Sequence, residues 1–361
     1  MWFGGKSKVA DLVWSRFGDC PNYIEPFAGS LAVLFGRPHW PFDPAGPIHA
    51  ETTNDLDGAV TNAWRAIQHD PEQTAVYADN PVHELDLHAK HLWLHRRLKS
   101  VDGLDADARA YATDKGVLPF AARLTLDPEW YDCRVAGWWI WGLCSWIGDN
   151  WCRPSRQIGL PRLGDRGVGV NRQRPHLGNR GVGVNRKLPQ ARDGDGRGEC
   201  ERHRLVLIEW FSTLADRLRH VDVCCGDWER VCGFTPTEKR ASPCGVFLDP
   251  PYSQDAGLDT VYGDFHDRHV SARAREWAIE RGSSPKMRIA LCGYEGEHEM
   301  PDDWECVPWK AGGGYSNNNR NGNDNRHRER IWFSPHCLRP EAVVTSLFER
   351  SPKNTNQGKG S

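Results

Sequence analysis

The tetrapeptide Asp249-Pro250-Pro251-Tyr252 combines residue types that can hold an exocyclic amine in a reactive position. Both prolines stiffen the turn and donate no backbone hydrogen bond, so carbonyl groups and the Asp249 carboxylate are left to accept the two amine hydrogens. The nitrogen lone pair then faces an electrophile, and Tyr252 offers a flat surface on which a base can stack. A base in a duplex must first be flipped out to reach such a site. The tetrapeptide alone fits a rigid turn with a surface tyrosine equally well.

Residues 25–30 (Glu-Pro-Phe-Ala-Gly-Ser) are a second candidate, a predicted strand that ends in small residues before a helix. Small residues let a backbone approach a ligand closely, and a helix N-terminus favours a carboxylate, such as the methionine carboxylate of S-adenosylmethionine. An ordinary strand-to-helix turn is the alternative interpretation. A phosphate-binding P-loop is disfavoured, because no Gly-Lys-Ser/Thr follows this turn.

The third candidate is Thr53-Asn54-Asp55, at the end of the next predicted strand. An acidic residue about 25–30 residues beyond the first loop can hydrogen-bond a ribose diol, as in dinucleotide-binding folds. A helix N-cap is the alternative role, and Asn54 or Asp55 would serve it equally well.

Alternating helices and strands are predicted around these motifs. Ser7 is the predicted N-cap of a first helix with apolar residues on one face, and Gly18 ends that helix. Strands are predicted over 23–27, 48–54, 221–224, 245–248, 288–292 and 330–333, and helices over 31–35, 56–67, 205–220 and 271–281. This order favours an α/β fold with a doubly wound, mainly parallel sheet, in which ligands bind beyond the carboxyl ends of the strands.

Composition limits the remaining classes. The 361 residues are 39% hydrophobic, enough for a sizeable core, and the net charge of −2 does not by itself indicate a polyanionic partner. No apolar stretch reaches membrane-spanning length and no secretory signal begins the chain, so we expect a cytoplasmic protein without a membrane partner. The twelve cysteines include no CxxC pair. Neither disulfides nor a metal site is therefore expected.

Residues 81–204 interrupt the alternation of helices and strands. We interpret the Trp-rich apolar run at 137–143 as the core of an inserted lobe rather than as a base-stacking surface. Between Arg153 and Arg204, twelve Arg and one Lys outweigh five acidic residues, a net charge of +8 that suits contacts to DNA phosphates or guanine edges. A solvated, flexible loop is the alternative. The candidate DNA-binding residues lie in an imperfect tandem repeat, 163–172 and 177–186: Arg166, Arg172, Arg180 and Arg186.

Taken together, these motifs resemble the Dam-like (alpha group) DNA adenine methyltransferases. Residues 2–6 (Trp-Phe-Gly-Gly-Lys) look like the N-terminal cofactor motif of that family, 25–30 like its cofactor loop, and Asn54-Asp55 like its ribose-binding motif. Asp249-Pro250-Pro251-Tyr252 matches its catalytic motif fully, and Cys225-Gly226-Asp227-Trp228 looks like the segment upstream of the catalytic strand. All four main motifs occur in the order of the family.

The resemblance implies a Rossmann-like, S-adenosylmethionine-dependent methyltransferase that modifies N6 of an adenine flipped out of double-stranded DNA. It implies a discontinuous catalytic domain, 1–80 and 205–340, a target-recognition insertion, 81–204, and a C-terminal tail, 341–361. Asp249, Pro250, Pro251 and Tyr252 would bind the target base, and Asp227 or Trp228 would border the adenosine. The implied cofactor-binding residues are Trp2, Gly5, Lys6, Glu25, Pro26, Phe27, Gly29, Ser30, Asp55, Asp227 and Asp249.

Three alternatives stay open at this point. A methyltransferase of the same fold could modify a cytosine amine, RNA or a protein glutamine, although Asp249, rather than Ser or Asn, is typical of the adenine enzymes. A DNA-binding protein with a decayed site is the second alternative. A dehydrogenase is the third, but the first strand lacks a GxGxxG turn. We further expect a monomer, acting alone or with a cognate restriction endonuclease.

Overall fold

The structure is a computed structural model that describes residues 6, 8–38, 49–146, 151–152, 199–251, 269–309 and 328–339. Seven strands form one sheet. They are β1 (Asn22–Glu25), β2 (Ala50–Asp55), β3 (Val221–Cys225), β4 (Cys244–Leu248), β5 (Met287–Tyr294), β6 (Glu305–Pro308) and β7 (Glu329–Phe333).

The sheet has the order β3-β2-β1-β4-β5-β7-β6. Strands β1 to β5 pair in parallel, whereas β7 runs antiparallel to both β5 and β6. The strand order reverses between β1 and β4, because β2 and β3 lie on one side of β1 and all later strands lie on the other. This mixed α/β, mostly parallel sheet confirms the predicted Rossmann-like fold class, and its reversal point is where such sheets bind ligands.

The helices follow the predicted pattern near the sheet and add several in the middle of the chain. They are α1 (Ala10–Phe17), α2 (Ala32–Phe35), α3 (Gly58–His69), α4 (Pro71–Ala78), α5 (Glu84–Lys99), α6 (Ala106–Lys115), α7 (Pro119–Leu126), α8 (Cys133–Ser145), α9 (Glu199–Leu218) and α10 (Val270–Gly282). Short 3-10 and π turns cover Trp228–Arg230 and Thr235–Lys239.

The predicted N-cap of the first helix is wrong. The N-cap position of α1 is Val9, which makes no side-chain capping bond, and not Ser7. The helix is stabilised instead by its buried apolar face, which includes Val13, Trp14 and Phe17. The predicted end at Gly18 is confirmed, since Gly18 adopts a left-handed φ of 61° at the C-cap.

Alternate residues of the central strands supply two cores, one on each face of the sheet. Tyr23 and Phe247 contribute to the core beneath α1 and α3, whereas Ile24, Val246 and Leu248 contribute to the core beneath α10. Burial on both faces explains why β4 is apolar throughout. The rigid sheet therefore fixes where the loops at its carboxyl edge begin.

Helices α5 to α8 and the start of α9 lie in the described part of the predicted insertion. Helix α8 packs against α3 and α4, and its Trp139 and Trp141 are buried, in agreement with a packing role for the Trp-rich run. The Trp141 indole donates to the carbonyl oxygen of Asn80 at 2.8 Å. The boundary at residue 80 stays a prediction, and the tail at 341–361 lies outside the described residues.

None of the helices in the described ranges combines the length and apolar character needed to cross a membrane. Apart from Cys200, the cysteines of the same ranges are free thiols. The described residues also contain no group of three or more His, Cys, Asp or Glu side chains placed to hold a metal ion.

Candidate active site

The carboxyl edge of the sheet brings three of the sequence motifs together. Register pairs Glu25 with Thr53, Asp55 with Cys225 and Leu248 with Leu291, so the segments that follow β1, β2, β3 and β4 all leave from one edge. Adjacent β1 and β4 carry the 25–30 loop and the Asp249 turn at the point where strand order reverses. A ligand in this crevice can contact both motifs.

Glu25 is a buried carboxyl group at the end of β1. Its Oε2 accepts hydrogen bonds from the Tyr23 hydroxyl at 2.9 Å and from the Leu34 backbone N–H at 3.2 Å. Burial above all, together with the charges of Asp249 and Glu51, raises the pKa of Glu25 to about 8, although these two hydrogen bonds lower it. The loop therefore presents a carboxyl group that a bound cation would ionise.

The 25–30 loop makes a tight turn into a very short helix. Gly29 and Leu31 both have left-handed φ values, 44° and 52°, and the Trp64 indole holds the loop by donating to the Gly29 carbonyl oxygen at 2.8 Å. Helix α2 has four residues and begins at Ala32. Leu31, the predicted first residue of this helix, is its N-cap instead. The turn is thus fixed by side chains of neighbouring elements more than by the helix. Ser30 lies half-buried in the same loop.

Asp55 lies beside this loop, and its carboxylate is engaged by backbone groups. Its Oδ2 accepts from the Gly29 N–H at 3.0 Å and its Oδ1 from the Asp57 N–H at 2.9 Å. Burial, and then the charge of Asp57, raise the pKa of Asp55 to about 7. The N-cap of α3 is Asp57, which accepts from the Ala59 N–H at 2.8 Å, so the alternative N-cap role of Asn54 or Asp55 is wrong.

Asn54 joins two of the loops at this edge. Its side-chain amide donates to the carbonyl oxygen of Pro26 at 3.1 Å and to that of Gly226 at 2.9 Å. The backbone repeats the connection, since the Ala28 N–H donates to the Asn54 carbonyl oxygen and the Gly226 N–H to that of Asp55. The loops after β1 and β3 are therefore held in one arrangement by β2.

Asp249 lies directly after β4, beside a buried lysine from the start of the chain. The Lys6 ammonium is 3.2 Å from Asp249 Oδ1 and 3.3 Å from Glu329 Oε2, and its Nζ lies 4.9 Å from the centre of the Trp309 ring. Burial alone would lower the pKa of Lys6, but the surrounding negative charges, that of Asp249 above all, raise it above its ordinary value. Lys6 is therefore a permanent cation that orients Asp249.

Aromatic residues that follow β1 and β3 form a cluster with one from α10. The rings of Phe27 and Trp228 are 5.9 Å apart and tilted by 31°, and Trp277 contacts Trp228 edge-on. Trp228 is 3% exposed, and its indole nitrogen has no hydrogen-bond partner within the described part of the chain. Next to it, Asp227 accepts from the Glu229 N–H at 2.9 Å and lies 3.3 Å from the Arg273 guanidinium.

The structure brings together Lys6, Glu25, Asp55, Asp227 and Asp249, with Pro26, Phe27 and Gly29 of the loop and Pro250 and Pro251 of the turn. The predicted residues Trp2, Gly5, Tyr252, Arg166, Arg172, Arg180 and Arg186 lie outside the described residues. Sequence analysis missed the roles of Asn54, Trp309 and Glu329. Only Asn54 carried a signal, its place beside an acidic residue at a strand end.

Comparison with known proteins agrees with this geometry. Residues 2–116, about a third of the chain, match the family model of the D12 class N6 adenine-specific DNA methyltransferases. The match contains the first three motifs and confirms the predicted resemblance. It supports adenine-specific DNA methyltransferase activity, and hence a DNA substrate, over the cytosine, RNA, protein and dehydrogenase alternatives. The search of curated proteins found no match.

Proposed function

We propose that this adenine-specific DNA methyltransferase transfers the methyl group of S-adenosylmethionine to N6 of an adenine that is flipped out of double-stranded DNA. The observation that carries the proposal is the position of Asp249 and Pro250 after β4, next to the Glu25 loop after β1, where the strand order reverses. The two motifs that the chemistry requires thus border one crevice.

The residues of the crevice fit a cationic, adenosine-containing cofactor. Two carboxyl groups there, Glu25 and Asp55, have a raised pKa because burial penalises their charge, and a cation would relieve that penalty. The buried Asn54 Oδ1 and Trp228 Nε1 have no hydrogen-bond partner in the described ranges and can serve as polar contacts for such a ligand. S-adenosylmethionine supplies an activated methyl group on a sulfonium, and so this chain needs no nucleophile of its own.

The remaining work of the site is to hold the target amine. We propose that Asp249 and the Pro250 carbonyl accept its two hydrogens and stabilise the positive charge that develops on nitrogen during transfer. Lys6 orients the Asp249 carboxylate, and Pro251 stiffens the turn because it has no backbone N–H. Stacking by Tyr252 completes the proposed base site. Fixing the amine in this way lowers the entropic part of the barrier.

Binding of the duplex is assigned to the insertion, residues 81–204. The proposal rests on the net charge of +8 between Arg153 and Arg204, including Arg166, Arg172, Arg180 and Arg186. We further propose a cytoplasmic monomer that needs no metal and that acts alone or beside a cognate restriction endonuclease.

Mass spectrometry of nucleosides tests the reaction. Unmethylated duplex DNA is incubated with the protein and S-adenosylmethionine, and the expected product is N6-methyladenine. An Asp249→Ala variant should form none, whereas Asp302→Ala, in an exposed turn away from the crevice, should match the wild type. Methylcytosine as the product would overturn the base assignment, and full activity of a folded Asp249→Ala protein would overturn the site.

A further inference from the structure

Glu329 is a buried carboxylate that no sequence motif singled out, yet it touches the catalytic edge. It begins β7, pairs with Tyr294 at the end of β5, and lies 3.3 Å from the Lys6 ammonium. The side chain of Glu329 is 11% exposed and that of Lys6 is 7% exposed, so solvent screens this contact little. Lys6 thus bridges Asp249 after β4 and Glu329 on β7, across the intervening strand β5.

The β6–β7 hairpin supplies two residues that contact Lys6, Trp309 and Glu329. The Trp309 N–H donates to the Glu329 carbonyl oxygen at 3.2 Å, and the Trp309 ring lies against the same ammonium that Glu329 contacts. Two residues of one hairpin therefore contact the Lys6 ammonium in addition to Asp249. Lys6 itself comes from the start of the chain, 323 positions from Glu329.

We propose that Glu329 is a positioning residue of the methyl-transfer reaction, which acts on Asp249 through Lys6 by countering the charge of the ammonium group. The inference rests on the proposed function. Asp249 and Lys6 alone would carry no net charge, and a neutral pair is a poor acceptor for an amine that becomes positive. With Glu329, the three groups carry a net charge of −1. The second carboxylate thus balances the ammonium and leaves the charge of Asp249 available to the transition state.

The Glu329→Gln variant tests this role, because glutamine keeps the shape and the hydrogen-bond acceptor and removes only the charge. We expect kcat for methyl transfer to fall at least tenfold. At an effective dielectric constant of about 20, removing a charge roughly 12 Å from the developing positive charge changes the rate about tenfold, and removing a nearer charge changes it more. KM for DNA and the Kd for S-adenosylmethionine should stay within about twofold of the wild type. A purely structural role would not produce this separation of kcat from binding.

Glu305→Gln is the matched control. It removes a carboxylate from the same hairpin, but the partner of Glu305 is Arg16 of α1, at 2.8 Å. Its kcat should equal that of the wild type. Should Glu329→Gln be destabilised, Glu329→Asp provides a second comparison, since it retains the charge and should recover most of kcat at a temperature where all variants are folded.

Three results would overturn the inference. One is a wild-type kcat in Glu329→Gln, the second is a loss confined to KM, and the third is an equal loss in Glu329→Asp and Glu329→Gln. Failure of the proposed function is distinct from all of these. In that case the wild-type protein itself would form no methylated adenine, so no variant would be compared.

Discussion

Replacing Asn54 by alanine should loosen two loops of the active site at once. The amide of Asn54 is buried, at 1% exposure, and donates to the carbonyl oxygens of Pro26 and Gly226. Each lost hydrogen bond costs about 0.5–1.5 kcal/mol, and the vacated space adds a cavity term. We therefore expect Asn54→Ala to lower the free energy of unfolding by about 2–4 kcal/mol.

The same substitution should weaken cofactor binding more than a substitution far from the site that lowers the free energy of unfolding by the same amount. The loops after β1 and β3 border the proposed cofactor site, so releasing them adds an ordering cost on binding. We expect the Kd for S-adenosylmethionine to rise about tenfold in isothermal titration calorimetry. Urea unfolding at 25 °C gives the stability change as a shifted midpoint with an unchanged slope.

Thr53→Val provides the matched control on the same strand. The buried Thr53 hydroxyl has no hydrogen-bond partner within the ranges that the structure describes, so an apolar side chain of equal shape should be neutral or stabilising. The reasoning is refuted if Asn54→Ala unfolds within about 0.5 kcal/mol of the wild type. It is also refuted if Thr53→Val weakens cofactor binding as strongly as Asn54→Ala does.

Three further substitutions test charge balance and packing elsewhere in the fold. Glu51→Gln should lower the free energy of unfolding in urea by about 3–5 kcal/mol, because Glu51 balances two buried guanidinium groups, those of Arg37 and Arg217. Burial, and then the neighbouring histidines, lower the pKa of His91 to about 4. The unfolded chain takes up this proton near pH 6.5, so the contribution of neutral His91 to the free energy of unfolding should be fully present above that pH and be lost as the pH falls toward 4. In His91→Gln, the free energy of unfolding should therefore fall less over the same pH range. Gly142→Ala should destabilise the protein by about 1–3 kcal/mol in thermal unfolding, despite the better helix propensity of alanine, because the new Cβ would lie 1.8 Å from the Trp151 ring.

Hydrophobic patterns in short segments of the sequence predicted most of the strands of the sheet. Apolar runs such as 245–248 became strands within about two residues of their predicted ends, since a strand buried on both faces needs a continuous apolar sequence. Glu25, Asp55 and Asp249 lie at the carboxyl edge because each one ends, or directly follows, a strand of the parallel part of the sheet. The fold and the location of the crevice could therefore be predicted from the sequence.

Contacts between distant segments could not be predicted in this way. The approach of Glu329 to Lys6 depends on β7 lying between β5 and β6, an arrangement with no local signature. Sequence analysis likewise could not tell that the Asp55 carboxylate accepts backbone hydrogen bonds from the loop and from α3, since a ribose-binding role uses the same residue type at the same place.

Strand β2 explains how one sheet can be built from two distant parts of the chain. The N-terminal strands β1 and β2 pair with β4 and β3, which follow the insertion. At the start of β2, Glu51 pairs with Arg217 of α9, the helix that returns from the insertion, and near its end Asn54 bonds to Gly226 after β3. The two parts are thus joined at both ends of the same strand. The ion pair and the hydrogen bond therefore hold the two parts of the sheet in register, and that register sets the positions of the loops that border the proposed active site.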